Sequence, residues 1–345
     1  MSRATMGTRR RAYAKKVLLA FVSFCLAVAV CEIGLRGVGY CYRPMRTEYD
    51  GGAHDWRRYH AFEQDCFVHD PELIWRPRKD YSVFNSQGFR GKVLSEEKQP
   101  GEFRVFAVGD SNTLGWERGS NWPGSLGKLL FRENRKYTVI NAGVYGYTSF
   151  QGVRRFKETL VYQPDMVLIS FGANEGHHVL IPDAEFRNGS LERLLVPFRI
   201  GHLLLAVRDR FVLDRKHHDN QEIVPRVTVE EYREHLNEII RLCRENHIEC
   251  VLLTRPYLGT STHPTWWKTH APRYRAATIE VGKANDVPVI DVYAYFRDRK
   301  ECLADEAHLT GQGHDLAAEL IFDRIKPLLP AAKAEKPVKS EKAAQ

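Results

Sequence analysis

From Phe103 onward the chain repeats one pattern, a short apolar run followed by a stretch with helical apolar spacing. Runs lie at Phe103–Val108, Tyr137–Ile140, Met166–Phe171, Cys250–Thr254 and Val287–Val292. They are too continuously apolar for strands with one wet face, and predict strands buried on both faces. Helical spacing falls near Trp122–Glu133, Ser149–Val161, Val229–Asn246, Tyr274–Asn285 and Gly311–Leu329. Strand and helix therefore alternate, which predicts an α/β fold with a five-stranded parallel sheet covered on both faces. Thr228 ahead of Glu231 predicts a capping box for the third helix, and Thr310 an N-cap for the last.

Charge excludes one class of partner. The 345 residues hold 51 Lys and Arg against 43 Asp and Glu, a formal net charge of +8. The excess sits at the ends: residues 1–16 carry six basic residues and no acid, and residues 331–345 carry four Lys against two Glu. Residues 17–330 hold 41 of each sign, so no nucleic-acid partner is expected.

The basic residues 1–16 read as a cytoplasmic N-terminus, and residues 17–38 as a transmembrane anchor or signal segment. A helix from Val17 to Leu35 would reach roughly 28 Å, enough to span a hydrocarbon core with Glu32 near the far interface. Arg9, Arg10, Arg11, Lys15 and Lys16 hold the preceding end in the cytoplasm, so the body is expected on the extracytoplasmic side of the cell membrane. Ala27-Val28-Ala29 also reads as a signal-peptidase site, which would release a secreted protein, and Cys31 as a lipidation site preceded by an unsuited Val30. Tyr40, Tyr42 and Arg43 suit an interfacial belt and favour the anchor.

Residues 39–102, with Trp56, Trp75 and Phe84-Asn-Ser-Gln-Gly-Phe-Arg-Gly91, read as a stalk and lead-in. The regular domain spans 103–330. Within it, residues 176–228 break the rhythm: the insertion reads as a lid over the site or as a helical hairpin covering sheet edge. Residues 331–345 are rich in Ala, Lys, Glu and Pro and read as a disordered tail. Cys41, Cys66, Cys243, Cys250 and Cys302 lie outside the apolar run, and the Cys243–Cys250 spacing across a helix–strand turn permits a disulfide. The oligomeric state is not legible.

In an open parallel sheet, ligands bind beyond the carboxyl ends of the strands. Those ends are small and polar here: Gly109-Asp110-Ser111-Asn112-Thr113, Asn141-Ala142-Gly143 and Gly172-Ala173-Asn174-Glu175, with Asp305-Glu-Ala-His308 near the C-terminus. These are the parts of an acyl-transfer site. A serine hydroxyl needs a base, which His308 can be, and Asp305 three residues earlier can fix the tautomer of His308. The Ser111 and Gly143 N–H groups and the Asn174 amide are candidate oxyanion donors. Asp110 reads as a structural hydrogen-bonder of the nucleophile loop.

These four blocks, in order from about Phe103 to Leu329, resemble the SGNH (GDSL-like) hydrolase superfamily, and Asn85-Ser-Gln-Gly-Phe-Arg90 resembles its membrane-anchored bacterial members. The resemblance implies a flavodoxin-like three-layer α/β/α domain with Ser111 as nucleophile, Gly143 and Asn174 at the oxyanion, and Asp305 and His308 as the remaining pair. With the exported location, it implies a serine esterase acting on acetyl or other short acyl esters of a cell-envelope or extracellular glycan, needing no metal or organic cofactor. Transfer of the acyl group to a glycan hydroxyl, and glycan binding without catalysis, are the alternatives. Asn112 departs from the usual apolar residue and Glu175 from the usual Asp, so an altered site shape is expected. A G-x-S-x-G elbow is absent because Thr113 fills the second glycine position.

The remaining polar features carry less. His177-His178 and His217-His218 lack metal-ligand spacing. His314 is expected on the last helix, away from the chemistry. Arg226 and Arg255 read as packing or surface residues more than anion ligands, and Trp266-Trp267 as a sugar platform or core cover.

Overall fold

The computed structural model describes residues 3–40, 66–70, 72–115, 119–179, 182–186, 194–218, 224–258 and 270–330. Cys41, Tyr42, Arg43, Trp56, Trp266, Trp267 and the 331–345 tail lie outside them, as do the side chains of His178, His217 and His218. In chain order the main elements are α1 (Arg3–Gly37), β1 (Phe67–Asp70), β2 (Ile74–Pro77), β3 (Phe103–Gly109), α2 (Ser111–Leu114), α3 (Trp122–Glu133), β4 (Tyr137–Asn141) and α4 (Ser149–Thr159). They continue with β5 (Met166–Ser170), α5 (Arg199–His218), α6 (Val229–Glu245), β6 (Glu249–Leu253), α7 (Ala271–Ala284), β7 (Val289–Ile290), α8 (Val292–Phe296) and α9 (Gly311–Ile325).

These elements fall into two compact units. One comprises residues 1–78 with 178–224, the other 79–177 with 225–345. The first holds α1, the antiparallel pair β1–β2 and α5. Tyr13–Gly37 of α1 is long and apolar enough to cross a membrane.

The second unit is built on a five-stranded sheet in the order β4-β3-β5-β6-β7, parallel throughout. Counted within the sheet this is the order 2-1-3-4-5 of doubly wound flavodoxin-like folds, whose switch point lies between β3 and β5. Side chains alternate across it. Val105, Ala107, Met166, Leu168, Val251 and Leu253 form one core with Trp122, Leu126 and Leu130 of α3 and Ala317, Ile321 and Ile325 of α9. The intervening Phe106, Val108, Val167 and Ile169 are equally buried. Against that face stand α4, α6 and α7, with Tyr232 and Tyr274 meeting edge to face at 5.3 Å.

Several boundaries differ from expectation for local reasons. The run Val287–Val292 yields only the two-residue β7, because Asp291 leaves the ladder to cap α8, accepting from Ala294 N at 3.3 Å. The last helix ends at Ile325 and tightens to a 3₁₀ turn over Lys326–Leu328, where Pro327 has no N–H to continue it. Helix α7 begins at Ala271, three residues early, with Pro272 in its first turn. Within the second unit, Phe89 of the lead-in is buried and packs edge to face on Phe106 at 5.7 Å. Cys243 and Cys250 meet at the α6–β6 turn as buried free thiols. The hydrogen bond with Cys250, then burial, pushes the Cys243 thiol far above its usual range.

Candidate active site

Strand β3 delivers the nucleophile candidate. It ends at Gly109, and Asp110 caps the four-residue α2 by accepting from Asn112 N at 2.9 Å. Ser111 is the first residue of α2, where its N–H has no intrahelical acceptor. A helix of one turn does not hold itself, and five hydrogen bonds from Arg255, Arg90 and Asn141 fix this one. Arg255 Nε donates to Asp110 Oδ2 at 2.7 Å, both side chains being almost fully buried. At the other end, Arg90 Nη1 donates to Leu114 O and Gly115 O, and Asn141 Nδ2 to Thr113 O and Leu114 O. The carbonyls left over at the helix end are thus satisfied. Arg90 itself is aimed by Asn85, whose Oδ1 accepts from Gln87 N and Phe89 N, and by the Arg90 N to Asn141 O bond of 2.9 Å.

The histidine arrives on the loop before α9. Leu303 and Leu309 bridge antiparallel, and Ala304 N donates to His308 O, so residues 304–308 form a closed turn. Within it Asp305 Oδ1 accepts from Ala307 N and His308 N, while Asp305 Oδ2 lies 2.7 Å from His308 Nδ1. His308 Nε2 lies 2.8 Å from Ser111 Oγ. Serine, imidazole and carboxylate therefore form one continuous chain. Burial acts to raise the Asp305 pKa, but the hydrogen bond and charge of His308 and the two N–H donors outweigh it, holding the carboxyl down at about 2.

Asn112 links the two loops. Its Nδ2 donates to Ala307 O and its Oδ1 accepts from Leu309 N, both at 3.2 Å, so it grips the backbone on either side of His308. An apolar residue there would leave both groups to find other partners.

The expected oxyanion donors are differently committed. Gly143 N–H donates to Asn141 Oδ1 at 3.0 Å, so it can serve a second acceptor only by sharing. Glycine is required at 143 by close packing: a Cβ would stand 2.4 Å from Leu114 N. Asn174 Nδ2 donates to Tyr147 O at 2.9 Å, which leaves its second amide hydrogen. Asn174 follows a turn at Gly172, whose φ of +110° disfavours any side chain.

Glu175 is fully buried beneath this turn. Its carboxylate accepts from Gly172 N at 3.0 Å and from Ser149 N, at the start of α4, at 2.8 Å. Burial foremost, with the Asp110 charge, raises its pKa to about 7 against the pull of Ser149 N–H and Arg226. Arg226 is itself buried and donates to Gly146 O at 2.9 Å, a packing role. His314 sits on α9, the last helix, as expected, and is buried; burial first, then the charges of Arg90, Arg255 and His308, depress its pKa to about 4. Asn112, Arg90 and Asn141 are positioning residues: the strand-end blocks and the Asn85–Arg90 stretch contain them, but no local sequence signal gives them that role. Among the described residues, no group of three or more His, Cys, Asp or Glu is placed to hold a metal.

Over 86 residues, 24% of this chain and 42% of the relative, the chain is 35% identical to a protein named arylesterase from Vibrio mimicus. Over 81 residues, 23% of the chain and 40% of the relative, it is 35% identical to Esterase TesA from Pseudomonas aeruginosa. The chain thus spans about two fifths of the length of these curated relatives. The crystal structure described as the lipase/acylhydrolase from Enterococcus faecalis matches 67% of this chain and 100% of its own, at 25% identity and a TM-score of 0.47. The model of one family matches residues 107–316, which include Ser111, Gly143, Asn174, Asp305 and His308, and by that match the chain belongs to the GDSL-like lipase/acylhydrolase family.

Proposed function

We propose that the protein is a serine esterase tethered to the cell membrane by α1, with its catalytic unit on the extracytoplasmic side. The observation that carries the reading is the chain Ser111 Oγ, His308 Nε2, His308 Nδ1, Asp305 Oδ2, closed at 2.8 and 2.7 Å. Family membership and relatives named as esterases support it. In this mechanism His308 carries its proton on Nδ1, held by Asp305, and Nε2 takes the Ser111 proton as Oγ attacks the ester carbonyl. The negative charge then resides on the former carbonyl oxygen, met by the Ser111 N–H and the second Asn174 amide hydrogen, with Gly143 N–H as a shared donor. Collapse breaks the ester C–O bond, the imidazolium protonates the departing alkoxide, and an acyl group remains on Ser111. Water attacks that acyl-enzyme and gives a proton to His308; the Ser111 Oγ–acyl bond then breaks, His308 returns the proton to Oγ, and the acid leaves.

The substrate class follows from location and family resemblance: an acetyl or other short acyl ester of an envelope or extracellular glycan. Incubation of the full-length protein in detergent with a fluorophosphonate, then peptide mass spectrometry, tests the nucleophile. The expected adduct is on Ser111 alone; an unmodified Ser111 in folded protein would reject the reading. Acetylated xylan or peptidoglycan fragments against long-chain esters tests the substrate, with faster turnover of the acetylated glycan expected.

A further inference from the structure

The insertion between β5 and α6 contains a helix whose apolar side has no cover among the described residues. In α5, Leu203, Leu204, Val207 and Phe211 recur at helical spacing, and Leu204, Val207 and Phe211 are 52%, 46% and 72% exposed. Leu194 and Phe198, just before it, are exposed as well. Apolar side chains displayed this way on one stripe mark a surface that meets something other than water.

The unit itself indicates the occupant. Helix α5 starts against α1, the membrane-spanning candidate. Glu32 Oε2 of α1 accepts from Ile200 N at 2.9 Å, and Arg36, paired with Glu32 at 2.7 Å, donates to Pro197 O. The Glu32 carboxylate thus takes a free N–H at the positive end of α5. Of the α1 side chains from Tyr13 to Arg36, only Val28, Glu32 and Leu35 are partly covered, one stripe at i, i+4 and i+7 in its last turns. So α5 begins at the depth where the apolar span ends, close to the lipid–water boundary. Its sequence carries five basic residues against two acidic, a balance that suits anionic headgroups.

We propose that α5, with Leu194 and Phe198, is an interfacial membrane helix. Leu203, Leu204, Val207 and Phe211 enter the outer edge of the hydrocarbon, and Glu32 and Arg36 of the spanning helix fix where it starts. The proposal rests on the reading of α1 as a membrane span. It gives the insertion a lipid-facing role that a loop at a sheet edge would not have.

Depth-sensitive quenching tests it on the full-length protein with Cys25, Cys31 and Cys41 changed to Ser. Single cysteines introduced as Val207→Cys, Phe211→Cys, Leu19→Cys and Glu280→Cys are labelled with bimane. Each protein is reconstituted in vesicles of phosphatidylcholine with a minor share of phosphatidylglycerol, with and without dibrominated phosphatidylcholine. Labels at 207 and 211 are expected to lose intensity to the bromolipid as the label at 19 does, while the label at 280 keeps its intensity. Quenching at 19 without quenching at 207 and 211 overturns the proposal and leaves the anchor standing. No quenching at 19 overturns the anchor, and the proposal with it. Protection of 207 and 211 that appears only as protein concentration rises assigns the stripe to a second copy, also against the proposal. The unsubstituted chain gives an independent reading: a phosphatidylcholine with a photoreactive acyl chain should crosslink to peptides from 199–218, and crosslinks confined to α1 would contradict it.

Discussion

At single side chains, the site is defined by who holds whom. Asn112 secures the backbone on both sides of His308. Asn112→Leu should lower kcat by about 10²-fold with little change in KM, the cost of a base misplaced by about 1 Å. A KM effect alone would assign Asn112 to substrate binding. Asn174→Ala should cost roughly 10²–10³ in kcat if its free amide hydrogen meets the oxyanion. Two buried titratable groups give opposite pH signatures. Glu175 has a folded pKa raised to about 7 against an ordinary 4.5, so its contribution to stability is full below 4.5 and lost as pH rises toward 7. His314 has a folded value lowered to about 4 from 6.5, so its contribution is present above 6.5 and lost as pH falls toward 4. In urea titrations, Glu175→Gln should gain on the wild type as pH rises through the first window, and His314→Gln as pH falls through the second. Parallel curves for wild type and variant would contradict the assigned environments. The candidate site residues were legible because Ser, Asp-x-x-His and Asn each stand at a strand end or in a recognisable block. The partners of Asn112 were not, because its contacts with Ala307 and Leu309 join loops 195 and 197 positions apart.

Among the elements, α2 is the most dependent on its surroundings. One turn of helix carries Ser111, and its two ends are tied to Arg255, just beyond β6, and to Arg90 of the lead-in. Breaking the buried Asp110–Arg255 pair from one side, as in Arg255→Met, should destabilise the fold by about 3–5 kcal/mol, since it strands a buried carboxylate. A denaturation midpoint within error of wild type would mean that Asp110 finds another partner. The five strands and helices α3, α4, α6, α7 and α9 were legible in outline, because a doubly covered sheet imposes long apolar runs and helical spacing. Their ends were less so. Asp291 and Pro327 stop β7 and α9 through a cap and a missing N–H, effects that act over one or two residues and leave the wider periodicity untouched.

On the scale of the whole chain, the distribution of charge and apolarity separates location from chemistry. Residues 17–330 balance to zero, while the basic end precedes an apolar helix. Alkaline carbonate extraction of producing cells should leave the protein in the membrane pellet with its N-terminus intact by mass spectrometry; a soluble product lacking the first thirty or so residues would establish a cleaved signal instead. The most direct test of the catalytic reading is hydrolysis of p-nitrophenyl acetate by the full-length protein in detergent, wild type against Ser111→Ala. The mechanism predicts turnover by the wild type and a loss of about 10⁴-fold or more in the variant. Equal turnover by both folded proteins would contradict it.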